Sequence, residues 1–340
     1  MRPTRERVPL NVTNMTSTVR TKARSTIHEF DLIRALHRRH SRQSPSIVQG
    51  IGDDAAVIAS RAGQWTVLTT DLLTEGVDFL LNEVEPRRVG HKALGVNLSD
   101  LAAMAARPLA AFVSLALPRR GAKNRTALEL AIELYRGMLP LAAKFDVVIA
   151  GGDTNTWDGP LVVSVTLLGE TTAHGPLTRS SAQTGDHLVV TGILGGSLAG
   201  RHLDVEPRIR EALKLADQFE LHAGIDISDG LALDASRMAE ASGCGVMLDL
   251  DRIPCSADAV AMSAQDGRSS LDHALADGED FELLLAVAPE TAEKIIRFQP
   301  LDIPITRIGE FIARPGLWQK DSDGTITPLE ARGYQHRADS

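Results

Sequence analysis

A chain of 340 residues exceeds what one hydrophobic core usually serves, because single cores stop growing near about 250–300 residues, so two domains are expected. With 43% hydrophobic and 24% charged residues, and a longest apolar stretch (109–117) far short of the roughly 20 residues a bilayer helix needs, the composition excludes global disorder and membrane residence. The net charge of −8 is uneven: residues 1–26 carry six Lys/Arg against Glu6, and the remaining 30 basic and 43 acidic residues leave a balance of −13 that argues against a nucleic-acid-binding body.

The first 26 residues are basic, rich in Ser and Thr, and lack the apolar core of a secretory signal, which fits a disordered extension. Thr26-Ile27-His28-Glu29 reads as a capping box ahead of Ile27, Phe30, Ile33 and Leu36, predicting a helix to about Arg39. Strands are then expected at 65–70, 111–117, 147–150 and 161–168, with helices over 87–106 and 125–144. Beyond Gly169, strands are expected at 187–191, 224–227, 246–250, 281–287 and 303–308, with helices at 208–221, 231–241 and 289–298. Pro176, Gly185 and Asp186 punctuate the junction, giving an N-terminal domain at 27–170 and a C-terminal domain at 171–340, both mixed α/β. The two cysteines, Cys244 and Cys255, have no CxxC spacing; they support neither a zinc site nor a disulfide scaffold and suit a cytoplasmic setting.

Carboxylates recur at strand ends or inside apolar runs: Gly52-Asp53-Asp54, Thr69-Thr70-Asp71, Asp100, Gly151-Gly152-Asp153, Asp226-Ile227-Ser228-Asp229 and Gly278-Glu279-Asp280. Ionised carboxylates are costly to desolvate, so several converging on one place imply a compensating cation. Hard oxygen ligands without His or Cys favour magnesium. Taken singly, each acid also reads as a helix cap or turn residue, as Asp229-Gly230 does. Asp100 fits that reading least, because it sits in a helix otherwise built for burial, with Asn97 on the same face. No GxxxxGK[ST] or G-x-G-x-x-G phosphate loop is present.

In order, these blocks resemble the thiamine-monophosphate kinase family, whose superfamily includes aminoimidazole ribonucleotide synthetase. The matching stretches include Gly50-Ile51-Gly52-Asp53-Asp54, Thr69-Thr70-Asp71, Lys92-Ala93-Leu94, Asn97-Leu98-Ser99-Asp100, Gly151-Gly152-Asp153-Thr154, Leu177-Thr178-Arg179-Ser180, Asp226-Ile227-Ser228-Asp229-Gly230 and Gly278-Glu279-Asp280-Phe281. The resemblance implies ATP-dependent phosphorylation of thiamine monophosphate, several magnesium ions, and a homodimer joined through the sheet of the N-terminal domain. It implies metal contacts for Asp54, Thr69, Thr70, Asp71, Asp100, Asp153, Asp226 and Asp229, with Gly152, Asp153, Arg179 and Ser228 at ATP. Glu279 and Tyr334 correspond to positions at the thiamine moiety. No catalytic general base is implied, because the acceptor phosphate is already anionic.

The chain departs from the family where Asp78 replaces a His in Glu75-Gly76-Val77-Asp78-Phe79 and where Gly196 replaces an Asp. Asp78 is thus either a substrate partner for the cationic thiazolium or a loop acid, and Trp157 and Trp318 are packing groups or stacking groups. Two alternatives remain at this stage: a different ATP-dependent activity of the superfamily, or a nucleotide- and magnesium-binding protein without turnover.

Overall fold

The computed structural model describes residues 27–28, 46–50, 52–59, 65–321 and 323–338. The basic extension and most of the helix expected up to Arg39 lie outside these. Ile27 and His28, expected to open that helix, instead form a short strand, β1 (Ile27–His28), whose backbone groups pair antiparallel with Ala338 and Arg337 near the C-terminus.

The first sheet contains β2 (Ile47–Gln49), β3 (Ala56–Ala59), β4 (Trp65–Thr74), β5 (Ala106–Pro118), β6 (Val148–Trp157) and β7 (Val162–Thr171) in the order β2-β3-β4-β7-β5-β6. All neighbours are antiparallel except β5 and β6, which run parallel and are joined through a helix. Strand alternation sorts the side chains: in β4, Val67, Thr69 and Leu73 are buried while Thr70 and Leu72 are exposed, and in β5 Val113, Leu115 and Leu117 are buried while Phe112 and Ser114 are exposed. Helices α1 (Pro86–Ala103) and α2 (Ala127–Lys144) cover the inner face. Helix α1 starts with Pro86 at its first position and is buried nearly all round, as expected of a helix lying between layers. Helix α2 begins at Thr126, whose hydroxyl accepts from Glu129 N while the Glu129 carboxylate accepts from Thr126 N, a reciprocal capping box.

The second sheet contains β8 (His187–Thr191), β9 (Ala223–Asp226), β10 (Gly245–Asp249), β11 (Leu283–Val287), β12 (Ile305–Ile312), β13 (Gly316–Lys320) and β14 (Ile326–Pro328) in the order β14-β13-β10-β12-β8-β11-β9. Its helices are α3 (Ile209–Gln218), α4 (Leu231–Ala241), α5 (Ala257–Asp266), α6 (Ser270–Ala276) and α7 (Pro289–Phe298). Period-two alternation in β11 sends Leu283, Leu285 and Val287 into a core shared with α3, α7 and the first sheet. Leu284 and Ala286 enter a separate core with α4 and α6. Both halves are therefore mixed α/β layers, and α1 is the seam between them. Its side chains Leu98 and Leu101 belong to the same core as Leu283 and Leu285.

Candidate active site

The end of α1 meets the end of β9 at this seam, and the acids gather there. One carboxylate oxygen from each of Asp54, Asp100 and Asp226 lies within 4.8 Å of the others. Thr69, on the inner face of β4, donates its hydroxyl hydrogen to Asp100 Oδ2, and Ser99 Oγ donates to Asp226 Oδ2 at 2.5 Å. Burial, reinforced by Asp71, Asp226 and Asp54, pushes the Asp100 carboxyl well above the usual carboxylate range. Burial and then Asp54 do the same to Asp226, and burial also raises Asp54. Asp54 Oδ2 is buried without a hydrogen-bond partner among the described residues. Raised carboxylates packed this closely, with an unsatisfied oxygen among them and no His or Cys in the group, form a donor set suited to a hard divalent cation such as magnesium.

The flanking cations are arginines. Arg179 pairs through Nη2 with Asp54, its Nε lies 3.5 Å from Asp53 Oδ1, and its backbone N–H donates to both oxygens of Asp53 at 3.3–3.4 Å. Burial and the neighbouring Asp54 still lift the Asp53 carboxyl to about 6. Arg237 on α4 bridges Asp229 and Asp234, and Asp234 Oδ2 accepts from the backbone N–H groups of Asp229 at 2.9 Å and Gly230 at 3.1 Å. Asp229, expected at a metal, is thus held by an arginine at the rim of the group.

Beside the acids opens a cavity of about 450 Å³; Asp71, Asp78, Ser228, Asp229, Glu279 and Tyr334 all line it. Asp78 Oδ2 accepts from Thr74 N at 2.6 Å, so the carboxylate also closes its own turn. Tyr334 N donates to Asp229 O, and its ring stands edge-on to His336 with centroids 4.9 Å apart. Glu279 is at φ +53 and pairs with the fully buried Lys92. It follows Gly278, where a Cβ would lie 2.7 Å from Ser228 O, so only glycine lets the two loops approach. Trp157 and Trp318 do not line this cavity; Trp157 Nε1 donates to Pro160 O, and Trp318 lies under the Arg314 guanidinium.

The remaining expected residues lie elsewhere in the chain's own fold. Thr70 points to the outer face of the first sheet, where its hydroxyl meets Thr166 Oγ1 at 3.0 Å. Asp153 sits on β6, three strands from β4, in register with the outward-facing Ser114, and is exposed. It therefore does not join Asp100 and Asp226 within one chain, and Gly152 lies on the same distant strand. Gly196 is at φ +72, and a Cβ there would lie 2.4 Å from Ala259 N. The Asp of the family pattern would not fit against helix α5. Sequence reasoning assigned no role to Lys92, Asp53, Asp234 or Arg237. Lys92 and Asp53 stand inside quoted motifs, and the Asp234–Arg237 spacing on a helix was the available signal for the last pair.

The model of the AIR synthase related protein N-terminal domain matches residues 52–171, and that of its C-terminal domain matches 165–317. The thiamine-monophosphate kinase of Rhodopirellula baltica is 45% identical over 306 residues, covering 88% of this chain and 94% of that protein. The Bacillus subtilis thiamine-monophosphate kinase is 34% identical, with 91% and 99% covered. Among solved structures, AaThiL complexed with AMPPCP and TMP superposes with a TM-score of 0.76 at 28% identity, covering 91% of this chain and 97% of that one. The Stenotrophomonas maltophilia thiamine-monophosphate kinase superposes at 0.67 with 32% identity, covering 88% and 98%. The chain belongs to the thiamine-monophosphate kinase family.

Proposed function

We propose that the acid group at the seam and the adjoining cavity form one active site, which transfers the γ-phosphoryl group of ATP to the phosphate of thiamine monophosphate, giving thiamine diphosphate and ADP. The observation that carries this reading is the convergence of Asp54, Asp100 and Asp226 beside a cavity that also holds Glu279 and Tyr334. An acceptor phosphate oxygen attacks the γ-phosphorus, and the bond to the β–γ bridging oxygen breaks. The attacking oxygen is already anionic at neutral pH, so the residues need only position and neutralise two polyanions.

Asp54, Asp100 and Asp226, with Asp71 beside them and Thr69 orienting Asp100, are the residues that would hold magnesium. When bound, magnesium supplies the positive charge that lets two phosphate chains approach. Arg179 adds a planar, permanently charged guanidinium, with Ser228 and Gly152 as further ATP contacts. Asp78, Glu279 and Tyr334 take the thiamine end, and Asp229 stands at the rim between the two substrates.

Thr70 and Asp153 enter through a homodimer. Among the described residues, the outer face of the first sheet exposes Leu72 and Phe112. Leu72 also lines the cavity, so the cavity mouth meets that face. A second copy joined there would contribute its Gly152 and Asp153 to this site, beside Thr70. The division at residue 170 belongs to the same reading, with β7 closing the N-terminal unit.

ADP release from ATP and magnesium, measured with and without thiamine monophosphate, tests the proposal. Strong stimulation by thiamine monophosphate is expected; release that ignores it, or nucleotide binding without turnover, refutes the reading.

A further inference from the structure

Lys92 is the largest fully buried side chain of the described residues, and burying an ammonium needs compensation. Its Nζ lies 2.5 Å from Glu279 Oε1 and donates to Asp78 O at 3.2 Å. These partners come from different halves of the molecule: Asp78 from the turn after β4, Glu279 from the segment before β11. Both line the cavity, and Glu279 remains 28% exposed.

The Glu279 segment has an unusual backbone. Glu279 and Phe281 both lie in the left-handed region, at φ +53 and +52, within three residues. Such a conformation persists only where the surroundings over-determine it. Here Glu279 N donates to Ser228 O at 2.7 Å, Phe281 N donates to Ile227 O at 2.9 Å, and Phe281 packs with Val96 and Val205. The segment is therefore registered on one side to the loop that follows Asp226 and on the other to helix α1.

Along α1, Lys92, Val96, Ser99 and Asp100 fall at i, i+4, i+7 and i+8, one face of the helix. Lys92 and Asp100 are then separated by about 12 Å along the axis. One stiff element thus carries an anchor for Glu279 near its middle and an acid of the metal-suited group near its C-terminal end. This suits a substrate whose heterocycle and phosphate lie at opposite ends.

We propose that Lys92 is a positioning residue for the acceptor: its ammonium locks Glu279 and the Asp78 turn in one arrangement and so sets the affinity for thiamine monophosphate. This rests on the kinase reading above. Lys92 touches neither substrate in this role and acts through Glu279.

The test compares wild type, Lys92→Met, Lys92→Arg, Glu279→Gln and the Lys92→Met/Glu279→Gln double variant as full chains. Methionine preserves most of the buried length without the charge. Lys92→Met is expected to raise KM for thiamine monophosphate about tenfold or more, with KM for ATP and the magnesium-induced rise in Tm nearly unchanged. Glu279→Gln should give a similar split, the double variant should be no worse than the worse single one, and Lys92→Arg should recover part of the loss. Equal increases in both KM values, or an unchanged KM for thiamine monophosphate in a folded variant, would overturn the assignment. If Lys92→Met does not fold, Lys92→Arg decides: it keeps the charge but displaces it, and an unchanged acceptor KM contradicts a positioning role. Wild-type protein without turnover stimulated by thiamine monophosphate would overturn the kinase reading and this assignment together. Normal wild-type turnover with unshifted variants would overturn this assignment alone.

Discussion

Ser99 Oγ, on helix α1, donates to Asp226 Oδ2, at the end of β9, at 2.5 Å, and both residues are buried. This bond joins the two halves at the acid group and is among the interactions that hold the Asp226 carboxyl down against its burial. Ser99→Ala is therefore expected to destabilise the fold by about 1–2 kcal/mol, measured by urea unfolding. It should also weaken magnesium binding at neutral pH, with recovery as pH is raised, because Asp226 then ionises later. Calorimetric titrations with magnesium at two pH values check the second effect.

Asp100→Asn and Asp226→Asn should separate stability from function. Each removes a charge from a group in which neighbouring acids raise one another's pKa values. The metal-free variants are expected to melt no lower than wild type, and the magnesium-induced rise in Tm should be lost. Turnover should fall by about 10²–10³-fold, a barrier increase of roughly 3–4 kcal/mol. A variant that kept normal turnover would contradict a metal-holding role.

The raised acids also set a pH dependence. Burial lifts Asp53 to about 6, and lifts Asp234 and Asp280 to about 7, above the ordinary value near 4. A group raised in the folded state favours folding while it is protonated. These three contributions are full below about pH 4 and fade as pH climbs through 6–7. Asp54, Asp100 and Asp226 are raised as well, and they increasingly need a cation as rising pH ionises them. The rise in Tm produced by magnesium should therefore be larger at pH 8 than at pH 5.5, as thermal unfolding at fixed ionic strength would show.

Much of the fold is legible in the sequence, with instructive exceptions. Helix α7 starts at the expected Pro289, whose missing N–H suits a first turn, and α4 follows the Asp229-Gly230 turn as expected. Helices α5 and α6 were not anticipated: serine caps at Ser256 and Ser269 precede them, but each is short, and α5 buries only Ala259. Strand β6 was expected to stop at Ala150, where two glycines follow. Parallel pairing with β5 carries it on to Trp157, so Gly152 and Asp153 lie within a strand instead of a loop. The acids were identified by type, but which sheet face each occupies depends on register, and register is fixed by pairing across the sheet. Pairing thus turns Thr70 and Asp153 to the outer face, whereas Asp54 comes from the segment before β3, Asp100 from α1 and Asp226 from the end of β9, so the packing of the two halves is what gathers them. The Lys92–Glu279 pair was illegible for a related reason, since a lysine in an apolar helix shows no partner until the second half folds against it.

The position of Asp153 makes the proposed dimer testable by mixing. Asp100→Asn and Asp153→Asn homodimers should each be nearly inactive. If each site takes Asp100 from one copy and Asp153 from the other, subunit exchange restores one intact site in every heterodimer, about a quarter of wild-type activity after random exchange. No recovery after demonstrated exchange would place both acids in the same copy's site, or Asp153 outside the site altogether.

The most direct test of the central claim is a crystal structure grown with manganese and a non-hydrolysable ATP analogue, with metal positions read from anomalous scattering. The account predicts a peak bonded to carboxylate oxygens of Asp54, Asp100 and Asp226 at about 2.2 Å. Metal bound only elsewhere, with these three carboxylates unliganded beside an ordered nucleotide, would contradict it.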